Sequence, residues 1–258
     1  VTALIAGKPE STDRQFAERY CREVGIPYRI IEPPSEQELE KQVEKIIYIS
    51  ETYEPNVIRQ SAISYYISKL GRDFRVILCG EGADEIFGGY PEFAEVDDVN
   101  DLSLEFLGDL HRTQLQRVDR TSMHFTSEVR APFLDTALVD YSLAIPGELK
   151  VKDGSMKWIL REAMESILPD YIVNREKVVL SVGAGFRGND PNSGIFDELI
   201  ARKMSEREFQ EIKSNFPEWR IQTKEEAYYF EIFRRFGFDK GIFAKERVIA
   251  NKKTAYNN

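Results

Sequence analysis

Glu81, Asp84 and Glu85 stand close together in VILCGEGADEIFGGY (Val76 to Tyr90), set among Gly80, Gly82, Gly88 and Gly89. A carboxylate at such a place can hold Mg²⁺, a hard cation that takes one or two acids together with nucleotide phosphates. Gly80 and Gly82 let the backbone turn sharply and come close to a ligand. The stretch lacks the GK[ST] ending of a Walker loop, and its glycine spacing is not GxGxxG. Three acids repel phosphates unless a cation intervenes, so a bare phosphate cradle is the weaker functional reading. A plain strand-to-helix turn with solvated acids stands beside these readings.

Fixed positive charge is the complementary need, because it stabilises a phosphoryl or acyl transition state. SMKWILREAMESILPDYIVNREKVVLSVGAGF supplies Lys157, Arg161, Arg175 and Lys177, with the Gly183–Gly185 loop close to Lys177. Lys177 reads equally as an anion-facing lysine or a surface one. QRVDRTSMHFTSEVRAPFLD (Gln116 to Asp135) mixes charged and apolar residues. Its Glu128, Arg130 and Asp135 read as charges that pin helices together. Cys21 and Cys79 are isolated and cannot form a four-ligand zinc cage. His111 and His124 carry no HExxH pattern, and a Ser-His-Asp hydrolase lacks support.

Alternating strands and helices must position these groups. VTALIAG reads as a buried strand, and STDRQFAERYCREVG as a helix opened by a Ser/Thr/Asp signal and stopped by Gly25. YRIIEP is a second strand. SEQELEKQVEKIIYISETY opens with Ser35 and Glu38 at capping-box spacing, and NVIRQSAISYYISKLG is another helix. FRVILCG is a third strand and feeds the acidic motif. The alternation predicts an α/β fold with a parallel sheet and helical crossovers, with ligands at the carboxyl ends of its strands. Residues 1–95 read as the sheet-bearing, nucleotide-binding half, and 96–258 as a mainly helical half. FRGNDPNSG (Phe186 to Gly194) reads as a flexible loop.

Composition narrows the partners. The net charge of −9 argues against nucleic acid. No apolar run is long enough to span a bilayer and no signal peptide is visible, so a cytoplasmic protein without a membrane partner is expected.

The order and spacing of GEGADEIFGGY, DRTSMHFTSEVRAPFLD and KWILREAMESILPDYIVNREK resemble the synthetase domain of the asparagine synthetase family. The resemblance extends back through ETYEPNVIRQS to VTALIAGKPESTD. It implies an ATP pyrophosphatase (adenine nucleotide alpha-hydrolase-like) fold. It also implies ATP and Mg²⁺ dependence, with a carboxylate activated as an acyl-adenylate, pyrophosphate released and an amide formed. In the family the acid is aspartate and the amine is ammonia, delivered from glutamine by a separate amino-terminal domain. Carried over by motif, the resemblance assigns Asp84 to the metal, Ala6, Cys79 and Gly80 to ATP, and Glu81 to the meeting point of adenylate and ammonia. Lys177 falls on the α-phosphate, and Arg59 on the substrate or pyrophosphate side.

Three departures qualify the match. The family's SGGxDSS pyrophosphate loop is not in these residues, and the match begins at the family's second strand. A preceding segment is therefore expected, because loss of an interior strand exposes unpaired edges. Cys79 stands where the family usually has serine. VVLSVGAGF is closer to shorter members and to β-lactam-forming synthetases. That branch, however, has a tyrosine at the Glu81 position and a glutamate near Gln116, which favours asparagine-type chemistry here. A β-lactam-forming or peptide-cyclising relative, and a non-catalytic nucleotide- or partner-binding member, are the alternatives.

Overall fold

The computed structural model describes residues 1–176, 178, 180–186 and 194–240. Two compact units emerge: Val1–Leu70 with Leu180–Asn258, and Gly71–Val179. Both are mixed α/β, each with one small parallel sheet among the described residues. No helix among those residues is long and apolar enough to cross a membrane.

The chain begins with β1 (Ala3–Ala6), α1 (Thr12–Val24) and β2 (Tyr28–Ile31). β1 and β2 pair in parallel, from Ala3 opposite Tyr28 to Ala6 opposite Ile31. Parallel pairing requires a crossover, which α1 provides. α1 stops at Gly25, whose φ of 70° is the left-handed conformation glycine adopts without strain. Ser11 occupies the N-cap position, but its hydroxyl donates to the Lys8 carbonyl at 2.8 Å instead of accepting from a helix amide. α2 (Glu36–Ser50) starts as its sequence predicts, with Ser35 Oγ accepting from the Glu38 N–H at 3.3 Å. Its Leu39, Val43, Ile46 and Ile47 form one fully buried face. Such burial stabilises by roughly 1.5–3 kcal/mol per side chain. α3 (Pro55–Leu70) is buried around most of its circumference and packs on β1, β2 and α2. Small Ser61, Ala62, Ser64 and Ser68 permit that close approach.

The second unit holds β3 (Val76–Leu78), α4 (Ala83–Phe87), α5 (Val99–Leu110), α6 (Gln116–Met123) and β4 (Glu128–Arg130). α7 (Thr136–Leu143), α8 (Gly147–Lys150), α9 (Trp158–Met164) and α10 (Asp170–Val173) follow. β4 is parallel to β3, with Ile77 opposite Val129. The three strands read from the sequence are all present, but they do not form one sheet among the described residues. β3 pairs instead with β4, a strand that charged Glu128 and Arg130 conceal from a hydrophobic reading. These two side chains pair with each other at 2.9 Å, both more than half exposed, and Asp135 caps α7. None of the three pins helices together as the sequence reading expected. A tie between helices is made elsewhere. Buried Lys150 of α8 donates to Asn100 Oδ1 of α5 at 2.6 Å, and burial lowers the lysine pKa to about 8.

The chain then returns to the first unit with α11 (Leu180–Gly183), α12 (Ile195–Lys203), α13 (Glu206–Asn215) and α14 (Lys224–Arg235). Tyr53 packs edge-on against Trp219 and Phe230, with ring centres at 5.8 and 5.3 Å, and lies 5.3 Å from Phe233. This aromatic cluster joins the turn before α3 to the last helices. Residues 187–193 of the expected flexible loop lie outside the described residues.

Candidate functional site

The acidic motif leaves the carboxyl end of β3. Pairing with β4 continues one residue past the strand, as the Cys79 N–H donates to the Arg130 carbonyl at 2.9 Å. Gly80 is exposed, and a Cβ there would meet no described atom within 4 Å. Gly82 differs. Its φ is +95°, and a Cβ would stand 2.3 Å from Leu134 Cδ2. Only glycine suits that turn, from which α4 starts. The sequence reading gave both glycines a conformational role; the structure requires it of Gly82 alone.

Each acid of the motif has its own partner within the unit 71–179. Glu81 Oε1 accepts from Arg117 Nη2 at 2.6 Å. Arg117, on α6, is almost wholly buried, and its Nε and Nη2 also donate to Gln114 Oε1 at 3.0 and 2.6 Å. Gln114 sits in a π-helical turn, His111–Leu115, that runs directly into α6. Such turns often mark functional positions. Asp84 Oδ1 lies 2.7 Å from Lys157 Nζ. Gly89 makes room for this pair, since a Cβ there would fall 2.0 Å from Asp84 Oδ1 and 2.4 Å from Lys157 Cε. Buried Glu85 accepts from the Tyr90 hydroxyl at 2.6 Å. Burial pushes its carboxyl above the ordinary range, against the pull of that hydrogen bond. Glu85 is thus a core residue of α4. The Cys79 thiol is also raised, chiefly by burial. The motif is therefore neither a bare phosphate cradle nor a turn with solvated acids.

Among the described residues no group of three or more His, Cys, Asp or Glu side chains is arranged to hold a metal. Two carboxylates of the motif face a cation: Glu81 the Arg117 guanidinium and Asp84 the Lys157 ammonium.

Ala6 and Arg59 belong to the other unit. Ala6 ends β1 opposite Ile31, and the next amide, of Gly7, donates to the Ile31 carbonyl at 3.0 Å. Arg59 lies on α3, and its guanidinium is paired in two-pronged fashion with Glu225 of α14. Lys177 lies outside the described residues. The sequence reading assigned no role to Arg117, Gln114, Lys157 or Glu225. Lys157 and Arg117 each carried a signal, Lys157 as one of several cations in its segment and Arg117 as one of the charges in the Gln116–Asp135 stretch. Arg117 is 36 residues from Glu81 and Glu225 is 166 from Arg59, so neither pairing leaves a local pattern.

Comparison with known proteins places this arrangement in context. The family described as asparagine synthase matches residues 2–104 and 92–228. Asparagine synthetase B [glutamine-hydrolyzing] of Escherichia coli (strain K12) is 31% identical over 239 residues, covering 90% of this chain and 42% of that protein. The glutamine-hydrolyzing asparagine synthetase of Rattus norvegicus is 31% identical over 88% of this chain and 42% of its own length. That of Homo sapiens is 30% identical over 89% of this chain and, again, 42% of its own. The chain thus spans less than half the length of the curated relatives it matches. With the family's match running through nearly all the described residues, the chain belongs to the asparagine synthase family.

Proposed function

We propose that the chain is the synthetase portion of an ATP-dependent amide-forming ligase of the asparagine synthetase type, with an adenine nucleotide alpha-hydrolase-like fold. The observation that carries this reading is Glu81. One carboxylate oxygen is fixed by Arg117, and Oε2 has no hydrogen-bond partner among the described residues. It sits past the carboxyl end of a parallel strand, beside open space at Gly80, where α/β folds gather ligands.

In this reading a carboxylate oxygen, of aspartate by preference, attacks the α-phosphorus of ATP. The bond to the β-phosphate oxygen breaks and pyrophosphate leaves. Ammonia then attacks the acyl carbon, AMP departs, and the proton shed by nitrogen passes to Glu81 Oε2. Arg117 holds that carboxylate in a fixed orientation, as a general base requires. By the family resemblance Lys177 is assigned to the α-phosphate, where its charge would offset the negative charge that develops as the adenylate forms and collapses. The family resemblance assigns Ala6, Cys79 and Gly80 to the nucleotide and Arg59 to the substrate or pyrophosphate side. Asp84 fits a single-carboxylate share of a Mg²⁺ site, the ion supplying charge neutralisation on the phosphates. The relatives' names include glutamine hydrolysis, which supports a glutaminase domain or subunit as the ammonia source.

Product analysis of the full-length protein tests the scheme. Aspartate, ATP and ammonia should yield asparagine, AMP and pyrophosphate in equal amounts. ADP and inorganic phosphate in their place would refute adenylate chemistry.

A further inference from the structure

The described residues after 194 carry no chemical motif in the sequence, yet Asp197 and Glu225 approach Arg59 and Tyr229 holds Glu225. The Arg59 side chain is 11% exposed. Its Nε donates to Glu225 Oε1 at 2.9 Å, and its Nη2 donates to Glu225 Oε2. Glu225 is held in turn by Tyr229, fully buried one turn further along α14, whose hydroxyl donates to the same Oε1 at 2.9 Å. Asp197, in the first turn of α12, brings Oδ1 to 4.0 Å from Arg59 Nη2. Its Oδ2 is buried and has no hydrogen-bond partner among the described residues.

A guanidinium is a rigid plane with five N–H donors. Fixing the edge made by Nε and Nη2 therefore fixes the direction of both Nη1 hydrogens. Those two take no hydrogen-bond partner among the described residues. Nη1 is not among the buried atoms that lack a partner, so this edge keeps accessible surface on a side chain whose other edge is fixed. A second carboxylate, Asp197, adds a further acceptor on the Nη2 side and none on the Nη1 side. The free edge is thus aligned by two helices distant in sequence, α12 and α14.

We propose that Glu225, braced by Tyr229, is a positioning residue that aims the Nη1 edge of Arg59 at an anionic oxygen of the bound substrate. The anion is a carboxylate or a phosphate, two sources of one chemistry. This inference rests on the ligase reading and deepens it, since it gives the C-terminal helices a share in substrate binding.

The test is titration calorimetry on the full-length protein with two probes, aspartate and inorganic pyrophosphate. Glu225→Gln should weaken one probe by about tenfold or more and leave the other unchanged. Tyr229→Phe, which keeps the carboxylate, should weaken the same probe by a smaller factor. Arg59→Lys should weaken it too, and adding Glu225→Gln to Arg59→Lys should cost nothing further. Loss of aspartate assigns the carboxylate, and loss of pyrophosphate assigns the phosphate. Should Glu225→Gln fail to fold, Tyr229→Phe decides. Folded variants that bind both probes like the wild type would overturn the proposal, as would a wild type that binds neither. Binding of a probe without any ATP–pyrophosphate exchange would sink the ligase reading alone.

Discussion

Glu81 and Asp84 are neighbours in sequence but differ in what their partners leave free. Arg117 holds one Glu81 oxygen, so the other is available to a substrate, whereas Asp84 faces the Lys157 ammonium. Glu81→Gln keeps the size of the side chain and removes its capacity to accept a proton. Amide synthesis is expected to fall by about a hundredfold or more, while ATP–pyrophosphate exchange persists because adenylation precedes proton removal. Parallel assays of the two half-reactions would show this split, and equal loss of both would contradict the assigned role. The glycines offer a second comparison. Gly82→Ala meets both a positive φ and Leu134, and is expected to destabilise by roughly 1–3 kcal/mol. Gly80→Ala meets nothing and should leave the unfolding free energy within about 0.5 kcal/mol of the wild type. Any effect of Gly80→Ala should appear in nucleotide affinity.

Caps and punctuation set the helices, and they are testable singly. Ser205 and Glu208 form a reciprocal capping box on α13, with the Ser205 N–H donating to Glu208 Oε2 at 2.9 Å. Ser205→Ala should cost about 1 kcal/mol in urea denaturation, with no change in ligand affinity. Elements of this local kind were legible in the sequence. The Gly25 stop, the Ser35 cap, the apolar face of α2 and the strands before Gly7, before Pro33 and before Gly80 all follow from spacing within a dozen residues. β4 was not legible, because three residues with two exposed charges show no apolar alternation. Partner choice was hidden for a related reason. Glu81 pairs with Arg117 and Arg59 with Glu225 only after distant helices meet, and sequence spacing says nothing about such meetings. The candidate site was legible as a set of acids, glycines and cations; which cation holds which acid was not.

At the scale of the molecule, stability and chemistry share titratable groups. Glu54 precedes α3 and accepts from the Asn56 and Val57 amides at 3.1 and 2.6 Å. Burial raises its carboxyl to about 7, and the charges of Glu225 and Glu226 add to the shift. A folded pKa above the unfolded one means that the native state holds the proton more tightly. The stabilisation is complete below the unfolded value, near 4.5, and is lost as pH rises through about 7. Urea midpoints from pH 5 to pH 8 should fall in the wild type relative to Glu54→Gln, and parallel curves would refute the assignment. The central claim, adenylation of a carboxylate, is tested most directly by ATP–pyrophosphate exchange on the full-length protein. Exchange should depend on aspartate above other acids and vanish in folded Lys177→Ala. Absence of exchange with every carboxylate tried would contradict the account.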